Sequence, residues 1–178
     1  MNVVQLHDKK FSEFIPFTKI DKAIEECAQK INADYKGKNP LFVAVLNGSF
    51  MFAADLLKKI NIECEISFVK LASYHGISST GSVTELIGFT ENVETRHVII
   101  LEDIVDTGLT LEKVLAIFSH KNCASVKIAT LLLKPEAFKK EYKVDYVCME
   151  IPNEFIVGYG LDYDGQGRNL KDIYKVLT

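Results

Sequence analysis

Apolar residues recur along this chain in a few distinct patterns, and each predicts an element. Leu41-Phe42-Val43-Ala44-Val45-Leu46 and Val98-Ile99-Ile100-Leu101 are unbroken apolar runs with β-branched bias, the mark of strands buried on both faces of a sheet. A short polar turn follows each, and then a helical stripe. That stripe is Phe50, Ala53, Ala54 and Leu57 after the first run, and Leu111, Val114, Leu115 and Phe118 after the second. Upstream, Ile20, Ala23, Ile24, Cys27 and Ile31 mark one face of another helix, broken at residues 37–40. Ser125 to Leu133 and residues 146–151 read as two further strands. Ile62, Cys64, Ile66 and Phe68 alternate with Glu63, Glu65 and Ser67, which predicts a half-exposed strand with the polar set outward. Residues 83–87 read as its partner, across a polar hairpin tip. Phe11, Phe14 and Phe17 mark an N-terminal segment that packs, without assigning it an element.

Strand, turn and helix in repeated succession are the grammar of an α/β fold with a mainly parallel sheet. No internal repeat, linker or low-complexity tract interrupts it, so residues 1–178 are expected to form one domain. Composition agrees: 178 residues, 48% of them hydrophobic, suffice for one sizeable core. A net charge of −3 supplies no basic footprint, which argues against a nucleic-acid partner. Cys27, Cys64, Cys123 and Cys148 lie far apart among apolar neighbours and read as buried reduced thiols. With no cationic-then-apolar leader and no window approaching a membrane span, the expectation is a soluble, cytoplasmic protein without a membrane partner.

The candidate chemistry sits after the second buried run. Glu102 and Asp103 follow it directly, where such a strand is expected to end, and Asp106-Thr107-Gly108-Leu109-Thr110 then leads into the helix. Free N–H groups at a helix start bind anions, Gly108 allows close backbone approach, and Thr107 and Thr110 add hydroxyl donors. A plain βα turn with Asp or Thr as a cap has the same local pattern. Two adjacent carboxylates are what such a turn does not require, since they repel. Phosphate donors beside carboxylates suit a ligand carrying both phosphate and sugar hydroxyls, with a divalent metal. Asn47-Gly48-Ser49, the turn after the earlier buried strand, is a second candidate anion site or simply a tight turn.

The run VIILEDIVDTGLT resembles the phosphoribosyl-pyrophosphate signature of the type I phosphoribosyltransferase family. From Leu41 to Arg168 the chain is similar to the branch of that family acting on hypoxanthine and guanine. The resemblance implies a mainly parallel sheet flanked by helices, with a small hood from the terminal segments and a flexible lid hairpin. It implies transfer of the 5-phosphoribosyl group from phosphoribosyl pyrophosphate to N9 of a 6-oxopurine, with Mg2+ as cofactor and a homodimer or homotetramer as the assembly. Glu102 and Asp103 would hold the ribose hydroxyls, and Asp106, Thr107, Gly108, Leu109 and Thr110 the 5′-phosphate. Asp106 would be the general base near N7 of the purine. Lys134, Phe155, Ile156 and Asp162 would form the purine site, with Lys134 donating to the 6-oxo group and Phe155 stacking on the ring. Asn47, Gly48 and Arg168 would contact pyrophosphate, and Asp162, Glu102 and Asp103 would serve the metal. Ser73, Tyr74, Ser79, Thr80 and Gly81 would belong to the lid. Two departures stand out. Asn47 replaces the lysine usual there, removing a point charge, and Asp164-Gly165-Gln166-Gly167 replaces bulkier residues ahead of Arg168, predicting a less rigid presentation. The alternatives are a xanthine- or guanine-preferring enzyme, and an RNA-binding nucleotide sensor on the same fold. The second is disfavoured by the net charge and by Asp106, Lys134, Phe155 and Asp162 occurring together. A P-loop NTPase is disfavoured because the Walker pattern is absent.

Overall fold

The structure is a computed structural model that describes residues 2–71, 85–87 and 90–177. Its body is a six-stranded sheet built from β3 (Leu41–Leu46), β4 (Glu65–Leu71), β5 (Glu85–Ile87), β6 (His97–Val105), β7 (Ser125–Leu133) and β8 (Tyr146–Glu150). The strand order is β5-β4-β3-β6-β7-β8, with every pair parallel except β4 and β5. Helices α1 (Phe17–Asp34) and α2 (Phe50–Lys59) cover one face, where Ile20, Ile24 and Phe52 pack on Phe42, Ala44, Ile99 and Leu101. Helix α3 (Leu109–Phe118) covers the other, where Leu111, Val114 and Phe118 pack on Val43, Val98 and Ile100. Both faces of β3 and β6 are therefore dry, which is why their sequences read as unbroken apolar runs.

The expected hood is a second sheet, ordered β1-β2-β10-β9, from β1 (Val3–Leu6), β2 (Lys9–Ile15), β9 (Ile156–Val157) and β10 (Ile173–Val176). Its small core is Phe11, Val157 and Tyr174. The sequence reading assigned no strands to the N-terminal segment, because this antiparallel sheet pairs residues at opposite ends of the chain: Phe11 with Val176, and Ser12 with Lys175. Hood and body are tied where the Phe17 N–H, opening α1, donates to Asp172 Oδ1 at 2.7 Å. No described helix is long and apolar enough to cross a membrane.

Two expected faces are rotated. In β4 it is Ser67 and Val69 that are buried, while Ile66 and Phe68 stand 39% and 40% exposed. Registered on Val43 and Val45, Ser67 and Val69 lie on the α3 side. Ile66 and Phe68 turn to the α1/α2 side, where α2 packs chiefly on α1, β6 and β3. In α2 the buried stripe is Phe52, Ala53 and Leu56, and Phe50 is 43% exposed. Phe-Met-Phe-Ala-Ala-Asp-Leu-Leu is apolar around most of the helix, so periodicity alone leaves its inward face open.

Candidate active site

Strand β6 does not stop before its acidic pair, as the sequence suggested, but continues to Val105, and both carboxylates are buried. Ile99, Leu101 and Ile104 belong to the α1/α2 core, and Val98, Ile100 and Val105 to the α3 core. The alternation of side chains thus slips by one residue across Glu102 and Asp103. At the same level of β7 the Thr130 hydroxyl, paired in register with Glu102, donates to the Leu132 carbonyl at 2.9 Å. Successive side chains of a strand point to opposite faces, so the two acids go to different places, and the slip brings Ile104 onto the face of Leu101. Glu102 lines a hollow of about 200 Å³ together with Asp106, Thr107, Gly108, Leu109 and Thr110. Asp103 lies against Gly48, so closely that a Cβ there would meet Asp103 Oδ2 at 1.6 Å.

The loop itself is held from below. Gly108 caps α3 in the left-handed region at φ 83°, with no side-chain cap. Its carbonyl accepts from Tyr142 Oη at 2.6 Å and from the Glu112 N–H at 3.1 Å. The first residues of α3, whose N–H groups a helix leaves unpaired, line the same hollow. Beside it, Lys134 Nζ donates to Asp106 Oδ2 at 3.1 Å, so the proposed base and the proposed purine-reading lysine meet directly. Lys134 is buried at the end of β7, while the Asp106 side chain is 45% exposed.

On the α2 side the C-terminal segment closes in. The peptide between Leu46 and Asn47 is cis, Asn47 is exposed, and Ser49 Oγ donates to the Val45 carbonyl at 2.7 Å. A Cβ on Gly160 would meet the Gly48 carbonyl at 2.1 Å, so the turn after β3 is sandwiched between Asp103 and Gly160. Arg168 donates to the Gly160 carbonyl at 2.8 Å and pairs with Asp162 at 2.5 Å. This two-point grip replaces the looser presentation expected from the glycines. Tyr163 and Gln166 exchange backbone hydrogen bonds at 2.9 and 3.0 Å, with Gly165 and Gly167 in the left-handed region. Those glycines make the turn tight. The central motif and the C-terminal segment therefore converge, joined through Asp103, Gly48, Gly160, Arg168 and Asp162.

Burial dominates the electrostatics. It pushes the Glu102 carboxyl well above its usual range, with the neighbouring Asp103 charge adding to the effect. Glu102 Oε2 has no hydrogen-bond partner among the described residues. A buried carboxyl without a partner is costly, and a sugar hydroxyl reaching it would relieve that cost. Burial raises Asp103 to about 6, opposed by the Ile104 and Asp103 backbone N–H groups and the Arg168 charge, while Asp162 adds to the rise. No cluster of three or more His, Cys, Asp or Glu able to hold a metal occurs among the described residues. Glu102, Asp103 and Asp162 do not form one ligand set among the described residues: Glu102 lines the hollow with residues 106–110, while Asp103 lies against Gly48. Asp103 and Asp162 do share the field of Arg168. One or two carboxylates fit magnesium that arrives on a polyphosphate and keeps several waters.

Phe155 is 46% exposed at the hood, beside Tyr163 (centroids 5.7 Å) and Phe11 (6.1 Å), and lines a hollow of about 500 Å³ with Lys9, Lys10 and Leu177. Ile156 is buried in β9. The lid residues Ser73, Tyr74, Ser79, Thr80 and Gly81 lie outside the described residues. Sequence reasoning missed Tyr142 and Tyr159. Tyr159 is fully buried, and its hydroxyl donates to Asp55 Oδ2 at 2.6 Å. A tyrosine between two glycines was the available signal for the second; none marked the first.

Comparison with known proteins bears on this geometry. Residues 16–164 match the family model of the phosphoribosyl transferase domain. A hypoxanthine-guanine phosphoribosyltransferase of Streptococcus agalactiae is 50% identical over 147 residues, 82% of either chain. One from Streptococcus pneumoniae is 47% identical over 152 residues, 83% of this chain and 84% of the relative. Among solved structures, a hypoxanthine-guanine phosphoribosyltransferase of Bacillus anthracis superposes with a TM-score of 0.86 at 38% identity, covering 94% of this chain and 97% of that one. A hypoxanthine phosphoribosyl transferase of Trypanosoma cruzi gives 0.86 at 37% identity, over 98% and 95%. Fold and relatives agree, and the chain belongs to the phosphoribosyltransferase family.

Proposed function

We propose that this chain is a purine-salvage enzyme that transfers the 5-phosphoribosyl group of phosphoribosyl pyrophosphate to N9 of hypoxanthine and guanine, giving IMP or GMP and pyrophosphate. The observation that carries the base assignment is the Lys134 and Asp106 pair beside the phosphate loop. A 6-oxopurine presents an acceptor oxygen on C6 and, beside it on the same edge, N7. Lys134 is donor-only and so selects oxygen over the amino group of adenine. Asp106, already within reach of Lys134, takes the N7 proton. The relatives' names support the same substrates.

Displacement at C1 of the sugar develops oxocarbenium character, as in glycoside chemistry. Glu102, whose buried Oε2 has no hydrogen-bond partner among the described residues, and Asp103 orient the ribose hydroxyls from opposite faces of β6. The N–H groups of the loop and the hydroxyls of Thr107 and Thr110 fix the 5′-phosphate and thereby place C1. Arg168, aimed by Gly160, and Gly48 receive the pyrophosphate, and Asn47 contributes backbone but no charge. Phe155 stacks on the base, and backbone at Ile156 reads its edge. Asp162 would hold magnesium, with Asp103 nearby. A magnesium ion held there would supply positive charge against the negative charge gathering on the leaving group. We extend the reading to a homo-oligomer, dimer or tetramer, and to the cytoplasm, where a sugar phosphate too charged to cross a membrane is available.

An ultraviolet assay with phosphoribosyl pyrophosphate, magnesium and each purine in turn tests it. Hypoxanthine and guanine should be consumed and adenine not. Turnover of adenine alone, or of no base, would sink the proposal.

A further inference from the structure

Tyr142 has no part in the chemistry above, yet its hydroxyl reaches the phosphate loop from 34 residues downstream. The Gly108 carbonyl it binds also accepts from Glu112, so both acceptor sites of that oxygen are used. A peptide unit is planar and trans, so pinning the Gly108 carbonyl fixes the direction of the Leu109 N–H, which points the opposite way. Leu109 opens α3, and its N–H is among those a helix leaves unpaired. It lines the same hollow as Glu102, whose buried Oε2 has no partner among the described residues.

The surroundings of Tyr142 fit a clamp. The segment begins at Lys134, whose carbonyl accepts the N–H groups of Ala137 and Phe138 at 3.1 and 3.0 Å. Phe138 and Tyr142 meet edge to face with centroids 5.4 Å apart. A Cβ on Gly108 would lie 2.5 Å from Tyr142 Oη and 2.9 Å from both Phe138 Cε2 and Lys140 Cγ. Lys140 pairs with Glu112 at 2.8 Å, offsetting an acid in the first turn of α3 that would otherwise repel an anion. Burial, with the Glu112 and Glu102 charges, raises the Tyr142 phenol to about 12, so it remains a neutral donor near neutrality.

We infer that Tyr142 is a positioning residue for the phosphoribosyl group: through the Gly108 carbonyl it aims the Leu109 N–H at the 5′-phosphate. The inference rests on the reading of residues 106–110 as a phosphate loop. Tyr142→Phe keeps the ring and removes only the hydrogen bond. Titration calorimetry with ribose 5-phosphate should show binding weakened about five-fold, the worth of one hydrogen bond. KM for phosphoribosyl pyrophosphate should rise by about the same factor, with kcat and KM for hypoxanthine within about two-fold, since the contact is made equally in ground and transition states. Tyr142→Leu, which also removes ring packing, should lower Tm further while weakening ribose 5-phosphate no less. An unchanged dissociation constant in Tyr142→Phe, with or without a lower Tm, overturns the inference. So does wild-type protein that fails to bind ribose 5-phosphate. If wild-type protein binds that ligand but transfers to no purine, the functional reading fails and the calorimetric comparison still decides the role of Tyr142.

Discussion

Asp103 and Asp106 lie three positions apart and are expected to answer to pH and to mutation differently. Asp103 is buried and raised from 3.8 to about 6, so the native chain holds its proton more tightly than the unfolded one. Its contribution to stability is therefore fully present below pH 3.8 and is lost as pH rises through about 6. Asp103→Asn removes that penalty. Thermal melts at pH 7.5 should show the variant more stable than wild type, by at most about 3 kcal/mol for a shift of some two units. Equal or lower stability would contradict the burial argument. The same variant should bind phosphoribosyl pyrophosphate more weakly, and in the wild type KM for that substrate should rise as pH falls through about 6, measured with magnesium saturating. Asp106 is instead half open to solvent and paired with Lys134. Asp106→Asn keeps shape and a hydrogen bond but removes the basic group. Its kcat should fall about 100-fold with KM much less affected. Unchanged turnover would remove Asp106 from the role of base.

Among the elements, the turn after β3 and the turn around Gly160 behave as one unit. Gly160 has φ 98°, and a Cβ there would meet the Gly48 carbonyl at 2.1 Å. Gly160→Ala combines left-handed strain of about 1–2 kcal/mol with that overlap. The chain should become less stable by at least that amount in urea denaturation, and activity should fall with it, because Gly48 carries the displacement on toward Asp103. A near-wild-type melt with full activity would show the two turns to be uncoupled. Helix α2 and strand β4 illustrate a different point: their buried faces were misjudged from pattern because the decisive information is which neighbour covers them. Phe50, Ile66 and Phe68 stand partly exposed among the described residues, although all three are apolar.

For the whole molecule, coherence comes from a few contacts between distant segments. Tyr159 Oη donates to Asp55 across 104 positions, tying the C-terminal site segment to α2. Tyr159→Phe should cost about 1.5–3 kcal/mol, as for a hydrogen bond to a charged group, read as a lower urea midpoint. A midpoint within error of wild type would show the bond to be incidental. The exposed apolar side chains of β4 and α2 are the surface expected to meet a second copy. Phe68→Lys should shift the scattering mass toward a monomer while leaving the fold, read by circular dichroism, intact. An unaltered assembly would place the contact elsewhere.

What the amino-acid order determined by itself was local. Strands dry on both faces, such as β3 and β6, announce themselves through unbroken apolar runs, and the loop of Asp106 to Thr110 through its spacing to the next helix. The acids, the lysine at the end of β7 and the C-terminal aromatics were legible as members of a family pattern. Only the tertiary structure decided where they point. The slip in β6 brings Ile104 onto the face of Leu101 and Val105 onto that of Ile100, which alternation along the sequence does not announce. The hood forms from chain ends that no local window joins, and Tyr142 matters only because folding lays it under Gly108. Such features depend on backbone meeting backbone across many positions of sequence, and hydrophobic periodicity, which reports one residue's burial at a time, carries no record of the partner.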